Sequence, residues 1–446
     1  MTKTPRTLYA DDKGRIFDAP GLELAGMSGG HWIRLSPADL IPLPPGSDLF
    51  MLPGRLPVGF DEKTASFEEM QGFHAVAAFV APAYTLRALA AYRSTPKADA
   101  IPLNAYSAVG YRDGRYWVAA FRVDPDPRQD IERVDKRIMR SNARKDRRLY
   151  PGNRALEQME LCAFTYHCPA ARNYYHRRWE APMPTASTCN ARCAGCLSLQ
   201  PKDAPPSPMA RLRCIPKASE IADLMVPHLD RAEGAIASFG QGCEGEPLVN
   251  PMLLNETLRL IRSRTEHGTL NLNTNASKPG VVEDLVEAGL DSVRVSLNSA
   301  RQQVYEAYHR PVGYTFDDVL QSILAAKGEG AFVSINYFVF PGVTDAPEEI
   351  EALLGLLERY PVDFIQMRNM NMDPDLYLEV VGRPKGPGLG IDRMMEDVHR
   401  DFPRIRFGYY NPPKEGWDKA GTVPPEHRAL SKKDAKARAR YAKRCS

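Results

Sequence analysis

The sequence has no long apolar run. Its most apolar stretch, Ala75 to Tyr84, is too short to cross a bilayer and contains Pro82. The first sixteen residues include basic side chains but no apolar core, so no secretory leader is expected. Charge of neither sign dominates. Fifty-eight Lys and Arg against 55 Asp and Glu leave a net charge of +3, which excludes a chain built throughout to embrace a polyanion. Cysteine is scarce, with eight in 446 residues, and three of the eight crowd into one segment. That distribution excludes a disulfide framework and points to metal ligation in a reducing compartment, so a cytoplasmic protein is expected. What remains is ordinary for a globular chain of two or three domains, with 43% hydrophobic and 25% charged residues.

The crowded segment is Ser187-Thr188-Cys189-Asn190-Ala191-Arg192-Cys193-Ala194-Gly195-Cys196. A loop with the spacing C-x3-C-x2-C can curl until three thiolates point at one centre. Soft thiolates suit iron–sulfur clusters, zinc or Cu(I). Three ligands on a four-iron cubane would leave one iron open, and an open metal position is where chemistry takes place. Zinc would need a fourth ligand, which Cys168, His167 or Cys214 could supply, although none has paired-knuckle spacing. Unligated, buried cysteines are the remaining reading. The spacing is also the signature of the radical S-adenosylmethionine (SAM) superfamily, which the chain resembles here. Asn190 and the small Ala194 and Gly195 strengthen the resemblance.

Elements around the loop are expected as follows. Residues 1–125 read as an N-terminal accessory domain of α+β type. It has short strands before residue 60, a helix or strand–helix pair over Phe73–Tyr92, and a hairpin turning at Asp113-Gly114. Residues 126–179 read as a basic helical connector, with an Arg/Lys-rich run at 128–155 and a helix from Leu156 to Glu180. Residues 180–375 alternate short apolar strands with amphipathic helices, which argues for a parallel α/β sheet. Strands are expected near Glu180–Pro184, Ala235–Phe239, Leu270–Asn273, Ser292–Leu297, Phe332–Phe340 and Phe364–Met367. The count fits the partial (β/α)6 TIM-like barrel that the resemblance implies, with the site at the C-terminal ends of the strands. Residues 376–446 read as a C-terminal extension. Its tail from Ser431 carries seven Lys and Arg against one Asp.

The strand ends carry the rest of the resemblance. Gly240 to Leu248 is similar to the family's "GGEP" segment, which implies that Gly245, Glu246 and Pro247 hold the SAM amino group. Glu244 stands where the first glycine of that segment usually lies. Asn273-Thr274-Asn275-Ala276 looks like the family's "TNG", with Ala276 for Gly. Ser296 and Asn298 end the fourth strand, where the family binds the SAM ribose or carboxylate. Arg310 is a candidate partner for a carboxylate, and Gly342 lies in a turn that family members place near adenine.

The resemblance implies an enzyme with a [4Fe–4S] cluster on Cys189, Cys193 and Cys196. It would cleave S-adenosylmethionine to a 5′-deoxyadenosyl radical and abstract hydrogen from a small-molecule or peptide substrate. It also implies an external electron donor of the flavodoxin or ferredoxin class, and no membrane partner. An RNA-modifying enzyme is the alternative, suggested by the basic tail and by Glu246–Asn250 together with the late Cys445. A zinc-stabilised binding protein is a second alternative. Only Cys445 follows Cys243, so no cysteine-rich auxiliary-cluster domain is expected. Cys243 reads as structural or as a hydrogen donor near the cofactor.

Overall fold

The structure, a computed structural model, describes residues 3–421 apart from 97, 203 and 420. The basic tail and Cys445 lie outside the described residues. Among the described residues no helix is long and apolar enough to cross a membrane.

The N-terminal domain is built of strands, with no α-helix before Lys136 among the described residues, so the α+β expectation is corrected to β. Twelve strands between Arg6 and Val118 form one antiparallel network. The stretch expected to be a helix or a strand–helix pair, Phe73–Tyr92, contains the strands His74–Phe79, Tyr84–Leu86 and Leu89–Ala90. His74–Phe79 pairs with Asp48–Leu52 on one side and Ser107–Arg112 on the other. Its interior residues are buried on both faces, so it reads as one apolar run without the two-residue period that marks a half-exposed strand. The hairpin forms as expected. Asp113 and Gly114 both have positive φ, at 51° and 77°, which fits the right-handed twist of the flanking strands.

The connector is three helices: α1 (Lys136–Leu149), α2 (Arg154–Phe164) and α3 (Pro169–Tyr175). The single helix expected over Leu156–Glu180 is broken at His167, which has φ of 57° ahead of Pro169. Ion pairs with Glu160 and Asp146 engage Arg147 and Arg177.

The third body is a parallel sheet of seven strands in sequential order. They are β1 (Arg178–Pro182), β2 (Glu233–Phe239), β3 (Thr269–Thr274), β4 (Ser292–Leu297), β5 (Phe332–Val339), β6 (Phe364–Asn369) and β7 (Arg406–Gly408). All six expected strands are present. The seventh corrects the count and carries the sheet past residue 375 into the expected extension, where Arg406–Gly408 pairs with Phe364–Gln366. Side chains alternate along each strand. Leu270, Leu272, Val293, Val295, Val333 and Ile335 join the apolar layer beneath the outer helices Pro279–Glu287 and Phe316–Gly328, with Leu285 and Ile323. Asn271, Asn273, Ser292, Arg294, Ser334 and Asn336 take the other face, so the barrel interior is polar.

The N-terminal domain is fastened to the β5–β6 side of this barrel. Arg55 and Asp373, each 2% exposed, form an ion pair at 2.6 Å, and Asp373 also accepts from Ile101 N at 2.8 Å. Thr85 Oγ1 donates to Met367 O at 2.8 Å and Leu86 N to Asn369 Oδ1 at 3.0 Å.

Candidate active site

The three cysteines lie on the loop that leaves β1 at the C-terminal end of the sheet. The loop is strapped to helix α4 (Gln302–His309) and the residues just after it by backbone bonds. Arg192 N donates to His309 O at 3.0 Å, Ala194 N to Tyr308 O at 2.9 Å, and Val312 N to Asn190 O at 2.9 Å. Ala194 and Gly195 are small where the loop must run close. A Cβ at Gly195 would come 2.9 Å from the Tyr308 hydroxyl.

The thiols sense one another. Burial pushes Cys189 up to about 11, and burial together with Cys196 and Cys189 raises Cys193 further. Three thiolates held this way repel until a positively charged metal core takes up their charge. Polar neighbours flank them. Cys196 Sγ accepts from Arg211 at 3.3 Å, and Cys193 Sγ lies 3.4 Å from His309 Nδ1. Burial pulls His309 down to about 3, so it is a neutral ring there. The donor set suits a cluster better than one ion. Thiolates sharing a zinc, each at about 2.3 Å, crowd around it. Among the described residues no three His, Cys, Asp or Glu side chains stand so. Ligands of a cubane stand apart, each on its own iron.

The second strand's loop is locked to this one. A Cβ at Gly245 would meet Thr188 O at 1.9 Å, so only glycine fits beside the cysteine loop. Gly245 N donates to Ala186 O at 2.7 Å and Glu246 N to Thr188 O at 2.9 Å. The Glu246 carboxylate is buried and takes bonds from Thr274 Oγ1 at 2.5 Å, Asn275 N at 2.8 Å and Leu248 N at 3.0 Å. Its donors are therefore the chain's own, and Pro247 begins a short buried turn behind it. Burial raises Glu246 against these bonds.

Glu244, which departs from the family segment, has a clear role. Its Oε2 accepts from Thr185 N at 2.6 Å and Ala186 N at 2.8 Å, and its Oε1 from Gly240 N at 2.7 Å and Gln241 N at 3.2 Å. One buried carboxylate thus ties the end of β1 to the end of β2, just ahead of the cysteines. Burial pushes it up to about 7 in spite of the four N–H donors. Sequence reasoning flagged the residue only as a misfit.

The remaining expected residues divide. Asn275 Nδ2 donates to Asn190 Oδ1 at 2.8 Å, and Asn190 Nδ2 to Ser277 Oγ at 2.9 Å, so "TNA" grips the cysteine loop. Ala276 keeps the left-handed conformation, φ 57°, that a glycine would hold without strain. Ser296 is half-buried, and its hydroxyl makes no hydrogen bond among the described residues. Asn298 is fully buried, donates to Val304 O at 3.3 Å, and leaves Oδ1 without a partner. Asn273 is drawn into the barrel interior, donating to Phe239 O at 2.8 Å and accepting from Asn271 at 2.8 Å. Arg310 is exposed at the left-handed cap of α4, and its carbonyl accepts from Arg192 N at 3.3 Å. Gly342 is a contact between domains: a Cβ there would lie 1.8 Å from Gly29 N of the N-terminal sheet. Cys243 is buried with its sulfur 3.3 Å from that of Cys162 on α2, which makes it part of the packing between α2 and the barrel.

Residues 183–357 match the family model of the Radical SAM superfamily. That segment is a radical SAM domain. Radical SAM proteins use a [4Fe–4S] cluster and S-adenosylmethionine. A curated relative, GTP 3′,8-cyclase of Streptomyces coelicolor, is 28% identical over 191 residues, which is 39% of this chain and 51% of the relative. The chain therefore spans about half the length of that curated relative. Among solved structures, methylornithine synthase aligns with a TM-score of 0.37 and 14% identity over 69% of this chain and 94% of that one. A radical SAM methyltransferase from Sphaerobacter thermophilus aligns with a TM-score of 0.35 and 15% identity over 50% and 64%. Structural likeness at that level supports no functional comparison.

Proposed function

We propose that this chain is a radical SAM enzyme with its cluster on Cys189, Cys193 and Cys196, acting on a small molecule or peptide admitted to the barrel mouth. One observation carries the reading: three mutually sensing thiols sit on a strapped loop at the C-terminal end of a parallel barrel, ringed by polar strand ends. When bound, the cluster and SAM supply reductive cleavage of the sulfonium to methionine and a 5′-deoxyadenosyl radical that removes hydrogen from substrate.

The chain's own residues prepare that site. Asn190, Asn275 and Ser277 fix the loop against β3. Arg211 donates to the Cys196 sulfur, which lowers electron density on that ligand. Ser296 presents an unengaged hydroxyl, and Asn298 an unengaged amide oxygen. Cys193, Ala194 and Leu197 pack against an apolar cluster that unites Tyr308, Phe340 and Met370 with Val76, Leu89 and Tyr106 of the N-terminal domain. That cover keeps water from one flank of the loop. An external reductant of the flavodoxin or ferredoxin class completes the scheme. GTP, named for the curated relative, is the first substrate to try.

Anaerobic reconstitution with iron and sulfide tests the reading, with iron content, EPR and dithionite-driven 5′-deoxyadenosine formation as readouts. Cys189→Ala, Cys193→Ala and Cys196→Ala should each lose cluster and cleavage, whereas Cys162→Ala and Cys214→Ala should retain the iron. A triple-Ala variant that holds a full cluster would overturn the assignment.

A further inference from the structure

The barrel interior is polar, and its charges do not balance. On β4, Ser292, Arg294 and Ser296 alternate with the outward Val293, Val295 and Leu297, so Arg294 faces the interior. It is 7% exposed, yet its one hydrogen bond among the described residues runs to Gln366 Oε1 at 3.2 Å, and its Nε has no partner. Arg368, two residues beyond Gln366 on β6, acts on Arg294 as a like charge. Its Nε donates to Tyr409 O at 3.1 Å, and its guanidinium lies 5.0 Å from the Tyr409 ring centre.

Among the described residues Glu180 is the only carboxylate acting on Arg294, and its Oε1 already accepts from Gln241 at 3.0 Å and Asn411 at 2.8 Å. Tyr409 is the other acidic group in range, and burial raises its phenol, which keeps it neutral. Two guanidiniums thus stand against one carboxylate in a space where unpaired charge is costly. Burial and Arg368 together pull Arg294 down to about 9. The contrast with Arg55 is direct. That residue is as deeply buried, and it is paired with Asp373 at 2.6 Å.

Arg294 lies two residues below Ser296, roughly 7 Å at about 3.3 Å per residue. A ligand at Arg294 therefore sits one layer beneath the strand ends where SAM is proposed to bind. We infer that Arg294 and Arg368 form an oxyanion subsite inside the barrel, and that the substrate carries a carboxylate or phosphoryl group that reaches it. The inference rests on the radical SAM reading for the word substrate, but the subsite itself needs neither cluster nor SAM.

The test is thermal unfolding of the full chain, reconstituted with cluster and without SAM, over rising sodium phosphate or sodium acetate. Sodium chloride at matched ionic strength is the reference. The expected result is stabilisation above chloride by at least one of the two oxyanions. Phosphate alone would name a phosphoryl group, and acetate alone a carboxylate. Arg294→Gln should weaken the apparent affinity about tenfold or more. Glu180→Gln keeps an acceptor for Gln241 and Asn411 and removes the opposing charge, so it should tighten binding. A purely structural Arg294 would not produce that opposite sign. Without added oxyanion, Arg294→Gln should unfold no earlier than the parent, because it removes an uncompensated charge. Three results would each overturn the subsite: no response beyond chloride, an unchanged affinity in Arg294→Gln, or an Arg294→Gln protein that unfolds well below the parent. Loss of 5′-deoxyadenosine formation with oxyanion binding intact would instead sink the radical SAM reading and leave the subsite standing.

Discussion

Gly245→Ala is the most exacting test of how the cysteine loop is held. An added Cβ would stand 1.9 Å from Thr188 O and 2.5 Å from Thr188 C, where real Cβ contacts are essentially never under 3.0 Å. The shortfall of 3.0 − 1.9 Å means that one backbone must retreat by at least about 1 Å. Neither is free to do so. Gly245 N is bonded to Ala186 O at 2.7 Å and Glu246 N to Thr188 O at 2.9 Å, so the retreat stretches both bonds. Overpacking of this kind costs about 1–3 kcal/mol, and a displacement of about 1 Å near reacting groups can cost on the order of a hundredfold in rate. The variant should therefore show a lower unfolding midpoint, incomplete iron loading, and 5′-deoxyadenosine formation down by about two orders of magnitude. Gly280→Ala is the control. It meets nothing within 4 Å and lies in the helix Pro279–Glu287, where alanine is favoured, so it should keep parental iron and cleavage with a midpoint no lower than the parent's. A Gly245→Ala protein with parental midpoint, iron and cleavage would refute the argument from close approach.

Three further outcomes are expected. Ala276→Gly should raise the unfolding free energy by about 1 kcal/mol, because the native φ of 57° strains an alanine and suits a glycine; a fall in chemical denaturation would contradict this. Ser296→Ala should leave the unfolding midpoint unchanged, since its hydroxyl has no partner among the described residues, while SAM affinity measured by equilibrium dialysis falls about tenfold. His228 supplies a pH test. It is buried, donates to Trp179 O across 2.7 Å, and is pulled from 6.5 to about 4 chiefly by burial, with Arg177 adding to the effect. Between those two values the unfolded chain binds a proton that the folded chain refuses. Stability should thus fall as pH drops from about 6.5 to 4, by on the order of 3 kcal/mol from this residue, and His228→Gln should flatten that limb of the denaturation profile.

The barrel was legible where alternation marked it. Leu270-Asn271-Leu272-Asn273 and Ser292–Leu297 place apolar and polar side chains on opposite faces of the strand, and both strands are where the pattern puts them. Strand β7 carries only three residues, too few for a period to register. The N-terminal sheet was misread because His74–Phe79 is covered on both sides and shows no alternation. At the site, the three cysteines stand out from a local motif, whereas Asn275, read from its motif as a SAM contact, bonds Asn190 85 positions away. The clamp at Glu244, the saturation of Glu246 and the use of Gly342 against Gly29 each need partners that lie from 28 to more than 300 positions away, and no local pattern encodes those.

The Arg55–Asp373 pair sets a waiting time. Its members are 318 positions apart, so the arginine leaves the ribosome long before its carboxylate exists. At about 5–20 residues per second that interval is some tens of seconds. Over the same interval Val76, Leu89 and Tyr106 have no Phe340 or Met370 to cover them. The nascent N-terminal sheet therefore spends most of its synthesis with a wet, charged and sticky flank, which makes this stage the one where chaperones and proteases decide the yield. A barrel that pairs late also leaves the cysteine loop uncovered on that flank until docking.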